Sequence, residues 1–137
     1  MTLKGKTALV TGGARGIGFG IAQRLAADGA AIALVDLNAD DLSAAKSQLS
    51  KSGAKVIAIT ADVTNRQQVI DAIDSTVDQL GGFDIMINNA GIAQVQPISE
   101  ITEAEMDKIH AVNVKGVLWG IQAAAARFKK DGTKGKI

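Results

Sequence analysis

Short apolar runs alternate with longer amphipathic ones along the whole chain. The run Thr7 to Val10 has the pattern of a parallel strand covered on both faces. Glycines between Gly12 and Gly18 interrupt it, and a helix is expected from about Ile17 to Asp28, closed by Gly29. Ala31 to Val35 reads as a second strand. Asp40 to Ser52 reads as a helix with Leu42, Ala45 and Leu49 on one face, ended by Gly53. Lys55 to Ile59 gives a third strand. Val69, Ile73, Val77 and Leu80 repeat at helical spacing from about Arg66, until Gly81 and Gly82 stop them. Asp84 to Ile87 is the fourth strand, and a long helical region runs from about Thr102 towards Lys130, interrupted near Asn113.

Strand and helix alternating in this way predict a parallel sheet with helices on both faces, in the strand order 3-2-1-4. No linker or low-complexity tract divides the chain, so residues 1–137 are expected to form one domain.

Composition removes several classes of function. Hydrophobic residues make up 47% and charged residues 21%, and the formal net charge is +1, which gives no reason to expect nucleic acid as a partner. A basic cluster near the end (Arg127, Lys129, Lys130, Lys134, Lys136) fits cations at a helix C-terminus better than a binding patch. The absence of cysteine excludes disulfides, thiolate metal sites and a cysteine nucleophile, and no metal site is expected. No apolar stretch long enough for a signal peptide or a membrane span precedes the first strand, so the expected location is the cytoplasm with no membrane partner.

The candidate chemistry lies at strand ends. Thr11-Gly-Gly-Ala-Arg-Gly-Ile-Gly18 sits between a buried strand and a helix, where a phosphate cradle belongs. Gly12 permits the tight turn, Gly16 lets backbone amides approach a pyrophosphate, and Gly18 lets the helix pack closely on the strand. The helix N-terminus, with Ile17 in its first turn, offers unpaired N–H groups and a partial positive charge to an anion. Asp36, at the end of the second strand and followed by Leu37, can accept hydrogen bonds from a ribose diol; the alternative is an aspartate that merely precedes a helix, where Asn38 and Asp40 already offer caps. A carboxylate there favours NAD over NADP. Arg15 is the contrary signal, since a guanidinium could pair with a 2'-phosphate.

The loop spacing Gly-x-x-x-Gly-x-Gly resembles that of the short-chain dehydrogenase/reductase family, and three further sites agree. Asp62-Val63 looks like the pair that frames the adenine, Asn88-Asn89-Ala90-Gly91 is similar to the family's most diagnostic tetrapeptide, and Asn113 matches the asparagine that interrupts the long helix. The resemblance implies a Rossmann-type doubly wound α/β fold, truncated here at the start of the fifth strand. It also implies NAD as cofactor and a small carbonyl or alcohol substrate. Within it, Asn88 could stitch neighbouring strand ends through its amide, and Ala90 and Gly91 leave room for the nicotinamide ribose. Asn113 would hold a helix carbonyl open and bind a water used in a proton relay, the one catalytic role falling in this chain. No catalytic role falls on His110, which reads as a partly exposed helix residue. Trp119 and Phe128 read as core or subunit-contact residues.

The run Val112 to Ala124, with Phe128-Lys-Lys and Gly135-Lys-Ile137 after it, resembles family members acting on acetoin, diacetyl and butanediol; polyol dehydrogenases share much of it. A homotetramer built partly on the last helix is implied for the full-length parent. The family's catalytic serine and Tyr-x-x-x-Lys pair would follow the fifth strand, and this chain holds no tyrosine. It is therefore expected to bind a dinucleotide without turnover, as part of a parent of roughly 250 residues. The fourth strand would then be left as an exposed apolar edge. A non-catalytic nucleotide-binding module remains an alternative. So does an S-adenosylmethionine-dependent methyltransferase, against which the Asn88 to Gly91 tetrapeptide argues.

Overall fold

The structure, a computed structural model, describes residues 2–137. Strands β1 (Thr7–Thr11), β2 (Ala31–Asp36), β3 (Val56–Thr60) and β4 (Ile85–Ile87) form one parallel sheet in the order β3-β2-β1-β4. Helices α1 (Gly16–Ala27) and α2 (Ala39–Ser50) carry the chain outward from β1 to β3. Helix α3 (Arg66–Leu80) returns it across the sheet to β4, so the winding reverses between β1 and β4. Ligands of open parallel sheets bind beyond the carboxyl ends of the strands at such a reversal.

Each central strand feeds two cores. Ala8, Val10, Ile32 and Leu34 pack with Ala22 of α1 and Leu42, Ala45 and Leu49 of α2. Leu9, Ala33 and Val35 face the other way, onto Ala72, Ile73 and Leu80 of α3 and onto Ala124 and Phe128. That two-sided burial is why β1 and β2 read as apolar runs instead of alternating ones.

The long helical region is three pieces. Helix α4 (Glu103–His110) passes through one π-helical turn (Ala111–Gly116) into α5 (Val117–Asp131). A capping box starts α4: Thr102 Oγ1 accepts from the Glu105 N–H (3.3 Å), and Glu105 Oε2 accepts from the Thr102 N–H (2.8 Å). The hydrogen bond from the Thr102 backbone, with others from the Thr102 and Gln96 side chains, holds the Glu105 carboxyl below the ordinary carboxylate range. Among the described residues, no helix is long and apolar enough to cross a membrane.

Most element boundaries shift by one or two residues from the sequence reading, and three departures have a clear local reason. Helix α2 begins at Ala39 because Asn38 Oδ1 accepts from the N–H groups of Asp40 and Asp41, both at 3.0 Å. Asp84 lies before β4, where its carboxylate accepts from the Thr7 N–H and the Lys6 ammonium, both at 2.9 Å. The outer edge of β4 is not bare, because Lys136 bridges to Ile85 in parallel. The Lys136 carbonyl accepts from the Met86 N–H and the Lys136 N–H donates to the Asp84 carbonyl, both at 2.9 Å. The last residues thus occupy the place of a fifth strand. Gly135 lies against the Phe128 ring so closely that a Cβ there would overlap it. Phe128 in turn stacks on Phe83 with ring centroids 4.9 Å apart.

The basic cluster at the chain's end is only partly a solvated one. Arg127 is mostly buried and ties α5 to α3 through Asp74 (2.7 Å), with a second bond to Asp131 of its own helix (2.6 Å). His110 is exposed, and Trp119 is half-buried beneath the Arg66 guanidinium, which sits 5.4 Å from its ring centroid.

Candidate functional site

A cleft of about 370 Å³ opens at the carboxyl ends of the strands. One wall is the glycine loop with Gly12, Arg15, Ile17 and Gly18; a second is Val35, Asp36 and Leu37. Ala61, Asp62 and Val63 line the far end, and Asn89, Ala90, Gly91, Ile92 and Val112 the near one. Eleven of the fourteen residues singled out from the sequence therefore converge on one cavity, and the remaining three, Gly16, Asn88 and Asn113, are not part of its lining.

The glycine loop turns because β1 must hand over to α1 within a few residues. Gly12 has φ +62° and Gly16 φ +55°, left-handed values that favour glycine. Gly18 is required by close approach, since a Cβ there would overlap the Gly12 carbonyl oxygen. The N-terminus of α1 carries no side-chain cap. Asn38, Asn65 and Thr102 cap α2, α3 and α4. Among the described residues, α1 is thus the one helix entered from a loop whose first N–H groups are left to the cleft, the arrangement that receives an anion.

Asp36 is tied to that loop. Its Oδ2 accepts from the Ala14 N–H (3.3 Å) and its Oδ1 from the Leu37 N–H (2.8 Å), so the carboxylate is aimed by two backbone groups and still has lone pairs free. Helix capping is done by Asn38, which removes that role from Asp36. The Arg15 guanidinium is solvated and lies 4.0 Å from Asp41, at the limit of an ion pair and worth little. Asp62 Oδ1 accepts from the backbone (2.8 Å) and hydroxyl (2.7 Å) of Thr64.

The stitching of strand ends falls to Asn89, not Asn88. Asn89 Nδ2 donates to the carbonyls of Thr11 (3.0 Å) and Gly12 (3.2 Å), across the gap between β4 and β1. Asn88 points the other way, towards α5, where a Cβ on Gly120 would overlap its Oδ1. It lines a narrow void with Thr11, Val63 and Gly116 and lies outside the cleft. Successive side chains of an extended segment face opposite sides, which is why two adjacent asparagines divide in this way.

Asn113 also differs from expectation. Both ends of its amide are engaged by Ile92, whose N–H donates to Oδ1 (2.9 Å) and whose carbonyl accepts from Nδ2 (2.8 Å). The side chain is therefore a clamp on the cleft wall. The interruption it marks is the π turn, a one-residue widening of the kind that frees a helix carbonyl from its usual partner. On the same turn, Gly116 admits Val63, whose Cγ2 would lie 2.9 Å from a Cβ at that position.

Thr11 carries a role that the sequence reading missed. Its buried hydroxyl accepts from the N–H groups of Asn89 (3.0 Å) and Ala90 (3.1 Å) and donates to the Ile87 carbonyl (3.2 Å). One oxygen thus fixes the chain as it leaves β4. A hydroxyl at the end of an otherwise apolar strand was its only signal. Val35, Ala61, Ile92 and Val112 complete the lining and were likewise unremarked as site residues, being apolar, with Val35 and Ala61 belonging to the core as well.

Comparison with known proteins agrees with this geometry. Residues 6–137 match the family model described as short chain dehydrogenase. The chain is 46% identical over 134 residues to an L-2,3-butanediol dehydrogenase of Corynebacterium glutamicum, covering 96% of this chain and 52% of that protein. It is 53% identical over 132 residues to a diacetyl reductase [(S)-acetoin forming] of Staphylococcus aureus, covering 96% and 51%. The chain thus spans about half the length of these curated relatives. Among solved structures, a short-chain type dehydrogenase/reductase from Mycobacterium marinum superposes with a TM-score of 0.91 at 37% identity, covering 96% of this chain and 53% of that one. A blue fluorescent protein from a metagenomic library, solved in complex with NADPH, superposes at 0.83 with 40% identity, covering 92% and 52%. On the family match, the parallel order β3-β2-β1-β4 and the glycine-loop cleft together, the chain belongs to the short-chain dehydrogenase family.

Proposed function

We propose that this chain is the cofactor-holding half of an NAD(H)-dependent oxidoreductase that interconverts a small ketone and the corresponding secondary alcohol, with acetoin, diacetyl and butanediol as substrates. The observation that carries the cofactor half of this reading is the pairing of an uncapped α1 N-terminus with the Asp36 carboxylate across one cleft. The unpaired N–H groups of α1 suit a pyrophosphate. Asp36, held by the Ala14 and Leu37 amides, suits the two hydroxyls of a ribose and disfavours a 2'-phosphate. Leu37, Asp62 and Val63 would frame the adenine, and Asn89, Ala90 and Gly91 would line the nicotinamide side. Asn113 would act there by fixing Ile92, and the π turn beside it offers a carbonyl for a water. The bound nicotinamide would supply or accept the hydride.

The names of the butanediol dehydrogenase and diacetyl reductase relatives support the substrate class. General acid/base chemistry is assigned to the part of the protein beyond these residues, because no tyrosine lies within them, and the 137-residue chain alone is proposed to bind without turnover. Val114, Leu118 and Ile121 are exposed along one face of the last helical stretch, which supports a subunit contact there in a tetramer.

Asp36→Ala tests the cofactor assignment. Loss of charge-assisted hydrogen bonds to the ribose should weaken NADH binding by about 10- to 100-fold. NADPH should lose less, so the gap between the two narrows in a fluorescence titration. An unchanged cofactor preference would remove Asp36 from the ribose site.

A further inference from the structure

Asp62 is held at almost every polar atom. Its carbonyl accepts from the Asn65 N–H (3.0 Å), and its Oδ1 accepts from the N–H (2.8 Å) and hydroxyl (2.7 Å) of Thr64. Its own N–H donates to Gln68 Oε1 (2.7 Å). Among the described residues, Oδ2 is the one polar atom of Asp62 without a hydrogen bond, and Asp62 lines the cleft.

Gln68 is the member of this set that comes from outside the loop. It stands in the first turn of α3 beside Val69, and Val69, Ala72 and Ile73 of that helix are buried. The bonds from Thr64 and Asn65 arise within the loop and can move with it. Gln68 ties the loop to a helix anchored in the core. Helix capping does not account for it. A glutamine three residues after a cap ordinarily returns its side chain to the N–H of the capping residue. Here that N–H, on Asn65, is already taken by the Asp62 carbonyl, and Gln68 reaches three residues further back. The helix start is served without it, because Asn65 Oδ1 accepts from the N–H groups of Gln67 (3.0 Å) and Gln68 (3.2 Å).

We propose that Gln68 is a positioning residue for recognition of the adenine base. By fixing the Asp62 backbone it holds Oδ2 where it accepts from the adenine amino group, and so sets the preference for adenine over a base that lacks this donor. This rests on the reading of Asp62 and Val63 as the adenine end of the cleft. An acceptor held in place before the ligand arrives loses less conformational freedom on binding, so its hydrogen bond discriminates more sharply. A loop free to shift would let Oδ2 find water as readily as the base.

The test uses the intact protein and two reduced cofactors, NADH and deamino-NADH, in which a ring carbonyl replaces the adenine amino group. Nicotinamide fluorescence gives Kd for both, in the unsubstituted protein and in Gln68→Leu, Gln68→Glu and Asp62→Ala. The unsubstituted protein should prefer NADH by about tenfold, the effect of one hydrogen bond to a charged acceptor. Gln68→Leu should cut that preference to about threefold or less by weakening NADH, with deamino-NADH within about twofold of its starting affinity. Gln68→Glu keeps an acceptor for the Asp62 N–H and should keep the preference. A Gln68→Leu protein with the full preference, or with both cofactors weakened equally, would overturn the inference. Asp62→Ala separates it from the reading beneath it. Loss of the preference in Asp62→Ala but not in Gln68→Leu would leave Asp62 at the adenine and remove only the role of Gln68. No preference in the unsubstituted protein, or one unchanged in Asp62→Ala, would remove the adenine reading and this inference together.

Discussion

Gly18→Ala is expected to abolish dinucleotide binding and to destabilise the fold by about 3 kcal/mol, the upper part of the range for overpacking a close contact. The added methyl would overlap the Gly12 carbonyl oxygen and sit within 2.5 Å of Asn89 Nδ2. Neither neighbour can withdraw cheaply. The Gly12 carbonyl belongs to the turn itself, and Asn89 Nδ2 is the donor that joins β4 to the loop. Relief would require α1 to move off β1, carrying its N–H groups away from the pyrophosphate position. Gly16→Ala is the control. Nothing lies within 4 Å of a Cβ there, so only the left-handed backbone is strained, at about 1 kcal/mol. Thermal unfolding and NADH titration of the two variants should separate them clearly. Equal effects would mean that close packing of α1 on the loop is not what Gly18 provides.

Thr11→Val should cost about 3 kcal/mol with almost no change of shape, since it removes three hydrogen bonds and leaves the Ala90 N–H without its partner, while the Asn89 N–H and the Ile87 carbonyl keep only their mutual bond (3.1 Å). That corresponds to roughly a 10 °C fall in Tm for a domain of this size. The residue is only 4% exposed, so water cannot readily replace the hydroxyl. NADH affinity should fall as well, because the Asn89 and Ala90 amides released are those of the cleft wall. Thr11→Ser restores the oxygen and should restore most of both properties. A valine variant that melts and binds like the unsubstituted chain would show that the backbone leaving β4 is held by pairing alone.

What the sequence disclosed and what it concealed follow from the range of the interactions involved. The doubly wound sheet was legible because Leu9 faces one core while Ala8 and Val10 face the other, leaving no polar alternation in β1. Gly12, Gly18 and Asp36 were legible because a tight turn and a strand-end acid are each local requirements, and the fold brings them to one cleft. The division of labour between Asn88 and Asn89 was not. Two identical adjacent residues carry no mark of which one faces β1 and which faces α5, and only the pleat after β4 decides it. The interruption near Asn113 was legible through the family resemblance, but its form as a π turn was not, because the apolar positions between Met106 and Ala124 carry no mark of one extra residue. The pairing of Lys136 with β4 joins chain segments far apart in sequence.

The central claim is that the cleft at the β1–β4 reversal holds NAD(H), with the ribose read by Asp36. Isothermal titration of the intact protein with NADH and, separately, NADPH tests it most directly. The account predicts saturable binding of NADH at one site per chain and weaker binding of NADPH by about tenfold or more, the effect of setting a phosphate dianion against a carboxylate. Binding of NADPH as tight as that of NADH, or no binding of either, would contradict it.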